Sequence, residues 1–252
     1  MEIKSHGLTH VGKQRQHNED AFLVADEAKL YLVADGMGGH AAGEIASRIA
    51  VDSISEFILH TKEDDGTWPH AYDEQYKRST NRLMAAVRLA NTRVLEAMRK
   101  DARLRGMGTT VVACLADEET MSVAHVGDSR AYLVRDGRIS RLTNDHSWVF
   151  EQVQAGMLTE EEAEKHPLRN VITRALGGAL QVSPDASEVA SKPGDVYLLC
   201  SDGLTGMLPE DEILRVVNEN IDDLEHACQE LIDRANEHGG LDNVTAILVK
   251  TI

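Results

Sequence analysis

The sequence is poor in cysteine and has no long apolar run. Its three cysteines, Cys114, Cys200 and Cys228, are odd in number and lack CxxC spacing, which argues against a disulfide framework. Reduced, mostly buried thiols in a cytosolic protein are the simplest account. No apolar stretch is long enough to span a bilayer, and the first residues carry no apolar core of signal-peptide length. We therefore expect a cytoplasmic protein without a membrane partner.

Positive charge is also scarce. The chain has 26 basic against 42 acidic residues, a net charge of −16. Such a balance argues against nucleic acid or an anionic membrane as the main partner. With 252 residues and 42% hydrophobic content, the chain can bury one large core, and no linker or repeat divides it. We expect a single domain spanning 1–252 and a monomer.

Hydrophobic periodicity predicts strands in successive hairpins, with helices in pairs between them. The expected strands lie at about 7–11, 21–26, 30–34, 109–115, 121–126, 131–135, 138–142, 196–200 and 244–249. The expected helices lie at about 42–59, 73–101, 147–155, 160–164, 210–219 and 224–238. This order favours an α+β fold of antiparallel sheets with helices outside, because an alternating βαβ series is missing.

Several carboxylates stand at the ends of these apolar runs. The run at 30–34 ends in Asp35-Gly36, and the run at 196–201 ends in Asp202-Gly203. Carboxylates at neighbouring strand ends repel one another unless they share a cation. Oxygen ligands select Mg²⁺ or Mn²⁺ over zinc. The candidate cage consists of Glu19, Asp20, Asp35, Asp128, Asp202 and Asp242.

Turn formation is the alternative for each aspartate taken singly, because Asp-Gly is a common turn dipeptide. Asp136-Gly137, for example, is expected to be only the turn of a hairpin. Several carboxylates each lie next to an apolar strand, and this repetition favours a shared site over unrelated turns.

The motifs that carry these carboxylates also resemble a known family. In chain order they are Arg15-Gln16-His17-Asn18-Glu19-Asp20, Asp35-Gly36-Met37-Gly38-Gly39-His40, Val126-Gly127-Asp128-Ser129-Arg130, Ser201-Asp202-Gly203-Leu204 and Asp242-Asn243-Val244-Thr245. The series resembles the bacterial form of the metal-dependent PP2C-type (PPM) serine/threonine protein phosphatases, from about Gly7 to about Val249. The resemblance implies an αββα sandwich, two stacked antiparallel sheets flanked by helix pairs.

The same resemblance implies the activity and its partners. A water activated by two Mg²⁺ or Mn²⁺ ions hydrolyses phosphoserine and phosphothreonine in proteins, without a covalent enzyme intermediate. The partners would be phosphorylated proteins, including a cognate serine/threonine kinase and its substrates. A catalytically silent metal-binding regulatory module and a small-phosphoester phosphatase remain alternatives, since one fold serves several functions.

Residue roles follow from the resemblance. Asp35 would bridge the two tightly bound ions, and the Gly36 carbonyl would ligate one of them. Asp202 and Asp242 would hold the other ion. Asp128, together with Asp202, would hold a weaker third ion, unless Gly127-Asp128-Ser129 is only a tight turn. Glu19 and Asp20 would act directly or through water.

Two further residues would serve the phosphate and the leaving group. Arg15 matches the family's phosphate-binding arginine, since a guanidinium can grip phosphate oxygens in a bidentate manner; the alternative is a surface arginine. Eukaryotic members have histidine directly after Asp-Gly, where this chain has Met37. His40 is the nearby candidate acid, and a structural hydrogen-bonding role is equally open to it.

Cys228 and Arg234 have the Cys-x5-Arg spacing of cysteine-dependent phosphatases. That chemistry needs a glycine-rich cradle around a low-pKa thiolate. The intervening residues are acidic and helical, so we interpret the match as chance.

The segment at about 144–178 interrupts the strand pattern with short, charged helical pieces. It resembles the flap beside the family's active site, and long insertions of this kind are often functional. We expect it to select protein substrates and to leave the metal chemistry alone. The alternative is that its helices cap the core.

Overall fold

Two stacked antiparallel sheets form the centre of the protein in a computed structural model that describes residues 1–38, 42–61 and 72–252. The strands are β1 (Ile3–His10), β2 (Asp20–Ala25), β3 (Leu30–Met37), β4 (Gly108–Thr109), β5 (Val111–Ala116), β6 (Thr120–Val126), β7 (Arg130–Arg135), β8 (Arg138–Arg141), β9 (Asp185–Ala190), β10 (Val196–Cys200) and β11 (Val244–Thr251). One sheet has the order β1-β11-β10-β7-β8. The other has the order β2-β3-β5-β6-β9, with β4 beside β3.

Helices cover the outer face of each sheet. The helices of the described residues are α1 (Ala42–His60), α2 (Arg78–Lys100), α3 (Trp148–Gln154), α4 (Glu160–Glu164), α5 (Asp202–Thr205), α6 (Glu210–Glu219) and α7 (Leu224–Glu237), with a 3-10 turn at Ala102–Leu104. Helices α1 and α2 pack on the β2–β9 sheet, and α6 and α7 pack on the β1–β8 sheet. In the described ranges, no helix has the length and apolar character needed to cross a membrane.

The position of strand β3 between the helices and the second sheet explains why its sequence is continuously apolar. Leu30 and Leu32 pack toward α1 and α2, whereas Tyr31 and Val33 pack between the two sheets. All four side chains are fully buried. Because successive strand residues point to opposite faces, a strand buried on both faces needs apolar residues at every position. The layered arrangement confirms the expected αββα sandwich.

The turn between β7 and β8 was expected from the sequence, whereas strand β9 was not. Asp136 and Gly137 have φ angles of +52° and +70° and join β7 to β8, as expected for a hairpin turn. Strand β9 was not expected, because its sequence is polar. It lies at a sheet edge beside β6, where Glu188 accepts hydrogen bonds from Lys77 and Thr80 near the start of α2.

The strand register gathers the carboxylates at one end of the sandwich. Asp20, the first residue of β2, lies opposite Asp35, near the end of β3. The end of β10 lies beside the start of β11. Asp202 comes just after the end of β10, and Asp242 comes just before the start of β11. Asp128 lies just beyond the end of β6, which pairs with β5.

Candidate metal centre

Asp20 is 7% exposed and is bound through one of its two oxygens. Oδ2 accepts hydrogen bonds from Ser201 Oγ at 2.8 Å and from Thr245 Oγ1 at 2.6 Å. Oδ1 is buried without a hydrogen-bond partner. Burial, together with the charges of Asp202 and Asp242, raises the pKa of Asp20 to about 7 despite these two donors. The hydroxyls therefore fix the carboxyl group and leave Oδ1 as a candidate ligand atom.

A chain of polar side chains fixes the direction of these bonds. Asn18 Nδ2 donates to Thr9 Oγ1 at 2.9 Å, and Thr9 and Thr245 hydroxyls are 2.7 Å apart. Since the Thr245 proton is given to Asp20, Thr9 donates to Thr245. No role was expected from the sequence for Thr9, Thr245 or Ser201. Each is a hydroxyl residue inside or beside an apolar strand, and only Ser201 directly adjoins a predicted ligand, Asp202.

Asp35 and Asp202 lie in the same buried cluster of carboxyl groups. Burial, followed by the charges of Asp20, Asp202 and Asp128, raises the pKa of Asp35 well above its usual value. Burial and the charge of Asp242 also raise the pKa of Asp202. The raised pKa values favour the protonated forms of these carboxyl groups when no ion is bound.

Asp128 belongs to the same electrostatic cluster. It is 7% exposed, and its Oδ1 is buried without a hydrogen-bond partner. Burial and the charge of Asp202 raise the pKa of Asp128 to about 7. Its turn therefore presents a carboxylate toward the Asp202 side of the cluster.

The unsatisfied oxygens test whether these residues suit a metal ion. Asp20, Asp128 and Asp202 each bury an Oδ1 atom without a hydrogen-bond partner. Buried acceptors are normally satisfied, and buried like charges need a counter-charge. Three such oxygens, all from carboxylates, fit hard divalent cations such as Mg²⁺ and Mn²⁺.

Arg15 and Asp242 form the open side of the cluster. Arg15 Nη2 donates to Asp242 Oδ2 at 2.6 Å, and the two side chains are 51% and 35% exposed. Asn243, which the sequence analysis also left without a role, holds the Arg15 loop in place. Its Nδ2 donates to His17 O at 2.9 Å, and its Oδ1 accepts from Glu19 N at 2.8 Å.

Gly36 lies where no side chain fits. A Cβ atom at this position would be 2.1 Å from the oxygen of Gly43 and 2.6 Å from the oxygen of Glu19. The carboxylate of the half-buried Glu19 lies close to Gly43, and burial raises the pKa of Glu19. The close approach of three segments explains the glycine that follows Asp35. His40 lies outside the described residues.

Comparison with known proteins decides the family. The family model for protein phosphatase 2C matches residues 7–248. The chain belongs to the protein phosphatase 2C family. It is 39% identical over 244 residues to a putative protein phosphatase 2C-type of Streptococcus pyogenes, with 96% of this chain and 94% of the relative covered. It is 36% identical over 250 residues to the serine/threonine phosphatase stp of Listeria monocytogenes, with 96% and 93% covered.

Solved structures of phosphatase 2C proteins show the same architecture. The Mycobacterium tuberculosis serine/threonine phosphatase PstP/Ppp matches with a TM-score of 0.87 at 35% identity, covering 99% of this chain and 98% of that one. The catalytic domain of PstP in complex with 2 manganese ions matches with a TM-score of 0.84 at 33% identity, covering 98% and 97%. The chain is thus a metal-dependent protein serine/threonine phosphatase of the bacterial phosphatase 2C type, and its cofactor is Mn²⁺ or Mg²⁺.

Cys228 does not have the properties of a catalytic thiol in this phosphatase 2C chain. Its side chain is fully buried, and burial raises the pKa of the thiol to about 12. Arg234 is bound to Glu212 and Glu230. An activated cysteine needs the opposite shift, toward a low pKa, so the geometry agrees with a chance match in spacing.

Proposed function

We propose that the carboxylate cluster is the metal centre of this phosphatase, with two tightly bound ions and a weaker third. The observation that carries the proposal is the set of buried carboxylate oxygens without partners. The residues proposed for the two tight ions are Glu19, Asp20, Asp35, the Gly36 carbonyl, Asp202 and Asp242. Asp128, sharing Asp202, is proposed for the third. When bound, the ions supply a water of lowered pKa and neutralise charge on the phosphoryl oxygens.

The chain's own groups prepare the site for that chemistry. Any proton held by Asp35 or Asp202, whose pKa values are raised, is displaced when a cation binds, because metal ligands must be deprotonated. Arg15 uses only Nη2 to reach Asp242. Its Nη1 and Nε have no partner among the described residues, so they remain to donate to two phosphoryl oxygens. Arg15 therefore orients the phosphate at the open edge of the cluster.

We assign protonation of the leaving oxygen to His40, on the strength of the motif alone. Para-nitrophenolate leaves without help, whereas a threonine alkoxide needs a proton. His40→Ala should therefore slow hydrolysis of phosphothreonine peptide far more than hydrolysis of para-nitrophenyl phosphate. Equal losses on both substrates would remove His40 from this role.

The substrates are phosphoproteins, and several relatives are named as serine/threonine phosphatases. We further propose that they include a cognate serine/threonine kinase and the proteins it modifies. A cytoplasmic location agrees with the three cysteines, all free and buried. We propose a single domain over 1–252 that acts as a monomer, which light scattering on the purified chain can test.

We propose that the segment at about 144–178 is a substrate-selecting flap. Its middle carries exposed apolar side chains, including Met157 at 73% and Leu168 at 43% exposure. Its ends are fixed to the core, because Ser147 pairs with Ile172 and Leu176 pairs with Thr109. Helices α3 and α4 contact each other, and little of them is buried. This exposure favours a role in selection over a role in capping the core.

The experiment that tests the function is phosphate release from a phosphothreonine peptide, with Mn²⁺ and with EDTA. Hydrolysis should require the ion. Asp35→Asn should abolish hydrolysis while far-ultraviolet circular dichroism stays unchanged, because the carboxylate contributes charge to the cluster and its loss removes no core packing. A matched control is Asp52→Asn, since Asp52 is exposed on α1. Undiminished hydrolysis by Asp35→Asn would contradict the proposed centre.

A further inference from the structure

The turn that presents Asp128 is supported on one side by Thr110. Gly127 has a φ angle of +108°, and a Cβ atom there would lie 2.6 Å from Thr110 side-chain atoms. Thr110 Oγ1 lies 2.6 Å from Ser129 Oγ and accepts a hydrogen bond from Asp35 N at 3.0 Å. Thr110 therefore links the Asp128 turn to the strand that carries Asp35.

His146 supports the same turn on the other side. Gly127 N donates to His146 Nδ1 at 3.1 Å, and His146 N donates to Gly127 O at 2.9 Å. One residue thus uses both backbone polar groups of the glycine that precedes Asp128. His146 is 2% exposed, so water cannot easily replace either bond, and an unsatisfied buried group is costly.

The imidazole of His146 is itself held in one orientation. The ring of His125 stacks on it at 4.6 Å between centroids, and His125 Nε2 donates to Asn144 O at 2.7 Å. His146 Nε2 lies 3.3 Å from Asp185 Oδ2. Burial, with the charges of His125 and Arg174, lowers the pKa of His146 to about 4. A neutral ring is what an acceptor at Nδ1 requires.

The same groups have the composition of a transition-metal site. Three possible ligand atoms, one from each of His125, His146 and Asp185, lie within 4.8 Å of one another. However, the bond from Gly127 N to Nδ1 places the proton of the neutral ring on Nε2, where a metal ion would need the lone pair. The arrangement suits the support of a turn.

We propose that His146 is a positioning residue for the ion that Asp128 binds. This inference rests on the proposed function, in which Asp128 holds the weaker third ion. Without the Nδ1 acceptor, Gly127 N loses its partner and the turn is free to move Asp128 away from Asp202. The affinity of the third ion then falls. The two tight ions should be unaffected, because within the described residues His146 forms no hydrogen bond with Asp35, Asp202 or Asp242.

The test is a Mn²⁺ titration of the full chain by calorimetry and by electron paramagnetic resonance. His146→Leu removes the acceptor, and His146→Asn places an oxygen close to the position of Nδ1. We expect His146→Leu to weaken the third ion by roughly tenfold or more, equivalent to about 1.4 kcal/mol, and His146→Asn to weaken it less. Both should keep two tight ions. The control is His166→Leu, in the same segment, which should bind all ions as the parent does.

Asp128→Asn, titrated in parallel, separates the two claims. If Asp128→Asn keeps the third ion, the assignment of Asp128 and the role of His146 are both wrong. If Asp128→Asn loses this ion but His146→Leu binds it with parental affinity, only the role of His146 is wrong. If His146→Leu does not fold, His146→Asn is compared with His146→Gln, whose oxygen lies farther from Nδ1. Better third-ion binding by His146→Asn supports the proposal, and equal binding overturns it.

Discussion

Replacing Asp20 by asparagine should stabilise the protein in EDTA, although the substitution removes a proposed metal ligand. The asparagine oxygen can accept the same hydrogen bonds from Ser201 and Thr245 that Oδ2 accepts now. The amide nitrogen takes the place of the unpartnered Oδ1. A buried charge is removed, and no packing is lost.

The magnitude follows from the pKa of Asp20, which rises from 3.8 to about 7 on folding. A carboxyl group with a raised pKa binds its proton more tightly in the folded chain. Its contribution to stability is therefore present below about pH 4 and is lost as the pH rises through about 7. The shift is about 3 units, so the upper bound is about 4 kcal/mol. We expect about 2 kcal/mol, since the neighbouring carboxyl groups share the effect.

The assay is thermal unfolding in EDTA at pH 5 and pH 8. At pH 8 Asp20→Asn should unfold roughly 4–8 °C above the parent, and at pH 5 the difference should be much smaller. Saturating Mn²⁺ should reverse the order, because ions stabilise only a chain that binds them. Asp52→Asn should change neither value. If the variant is less stable than the parent in EDTA at pH 8, buried and unpaired carboxylates do not destabilise the ion-free protein, and the reasoning is refuted.

Three further predictions follow from the site. Mn²⁺ binding should release protons and tighten as the pH rises from 6 to 8, because the raised pKa values of Asp20 and Asp128 keep these groups partly protonated in that range; calorimetry in buffers of different ionisation enthalpy measures this, and binding without proton release contradicts it. Replacing 149–170 by a short glycine linker should keep hydrolysis of para-nitrophenyl phosphate within roughly tenfold of the parent but alter selectivity among phosphopeptides by more than that. A short linker can close the gap, since Trp148 N donates to Val171 O at 2.8 Å. Equal loss of both activities would rule out a selective flap. Alkylation with iodoacetamide under native conditions should leave the rate intact, because Cys228 is fully buried, and inactivation would reopen a thiol mechanism.

The sequence alone predicted the strands that are buried on both faces. Continuous apolar runs such as 30–34 and 196–200 cannot remain exposed, so their placement follows from hydrophobicity. Strand β9 was not predicted because its sequence is polar and its contacts are long-range: it pairs with β6, and its Glu188 accepts bonds from Lys77 and Thr80, more than a hundred positions away. Local pattern carries no information about such contacts.

The ligand candidates at the strand ends were predictable for the same reason, whereas their supports were not. Ser201, Thr245 and Asn243 stand inside the recognised motifs, but only the register of β2, β10 and β11 shows which atoms they bind. His146 belongs to a segment expected to act on substrates alone. Its bonds to Gly127 show that the base of this segment also supports the proposed third-ion turn.

The most direct test of the central claim is the number of Mn²⁺ ions bound tightly by the parent, Asp35→Asn and Asp242→Asn after exhaustive dialysis. Mass spectrometry of the metal content and phosphothreonine-peptide hydrolysis should be measured on the same samples. The carboxylate cage predicts two ions and activity for the parent, with fewer ions and no activity for either variant, all three chains being folded. Two tightly bound ions and full activity in both variants would contradict it.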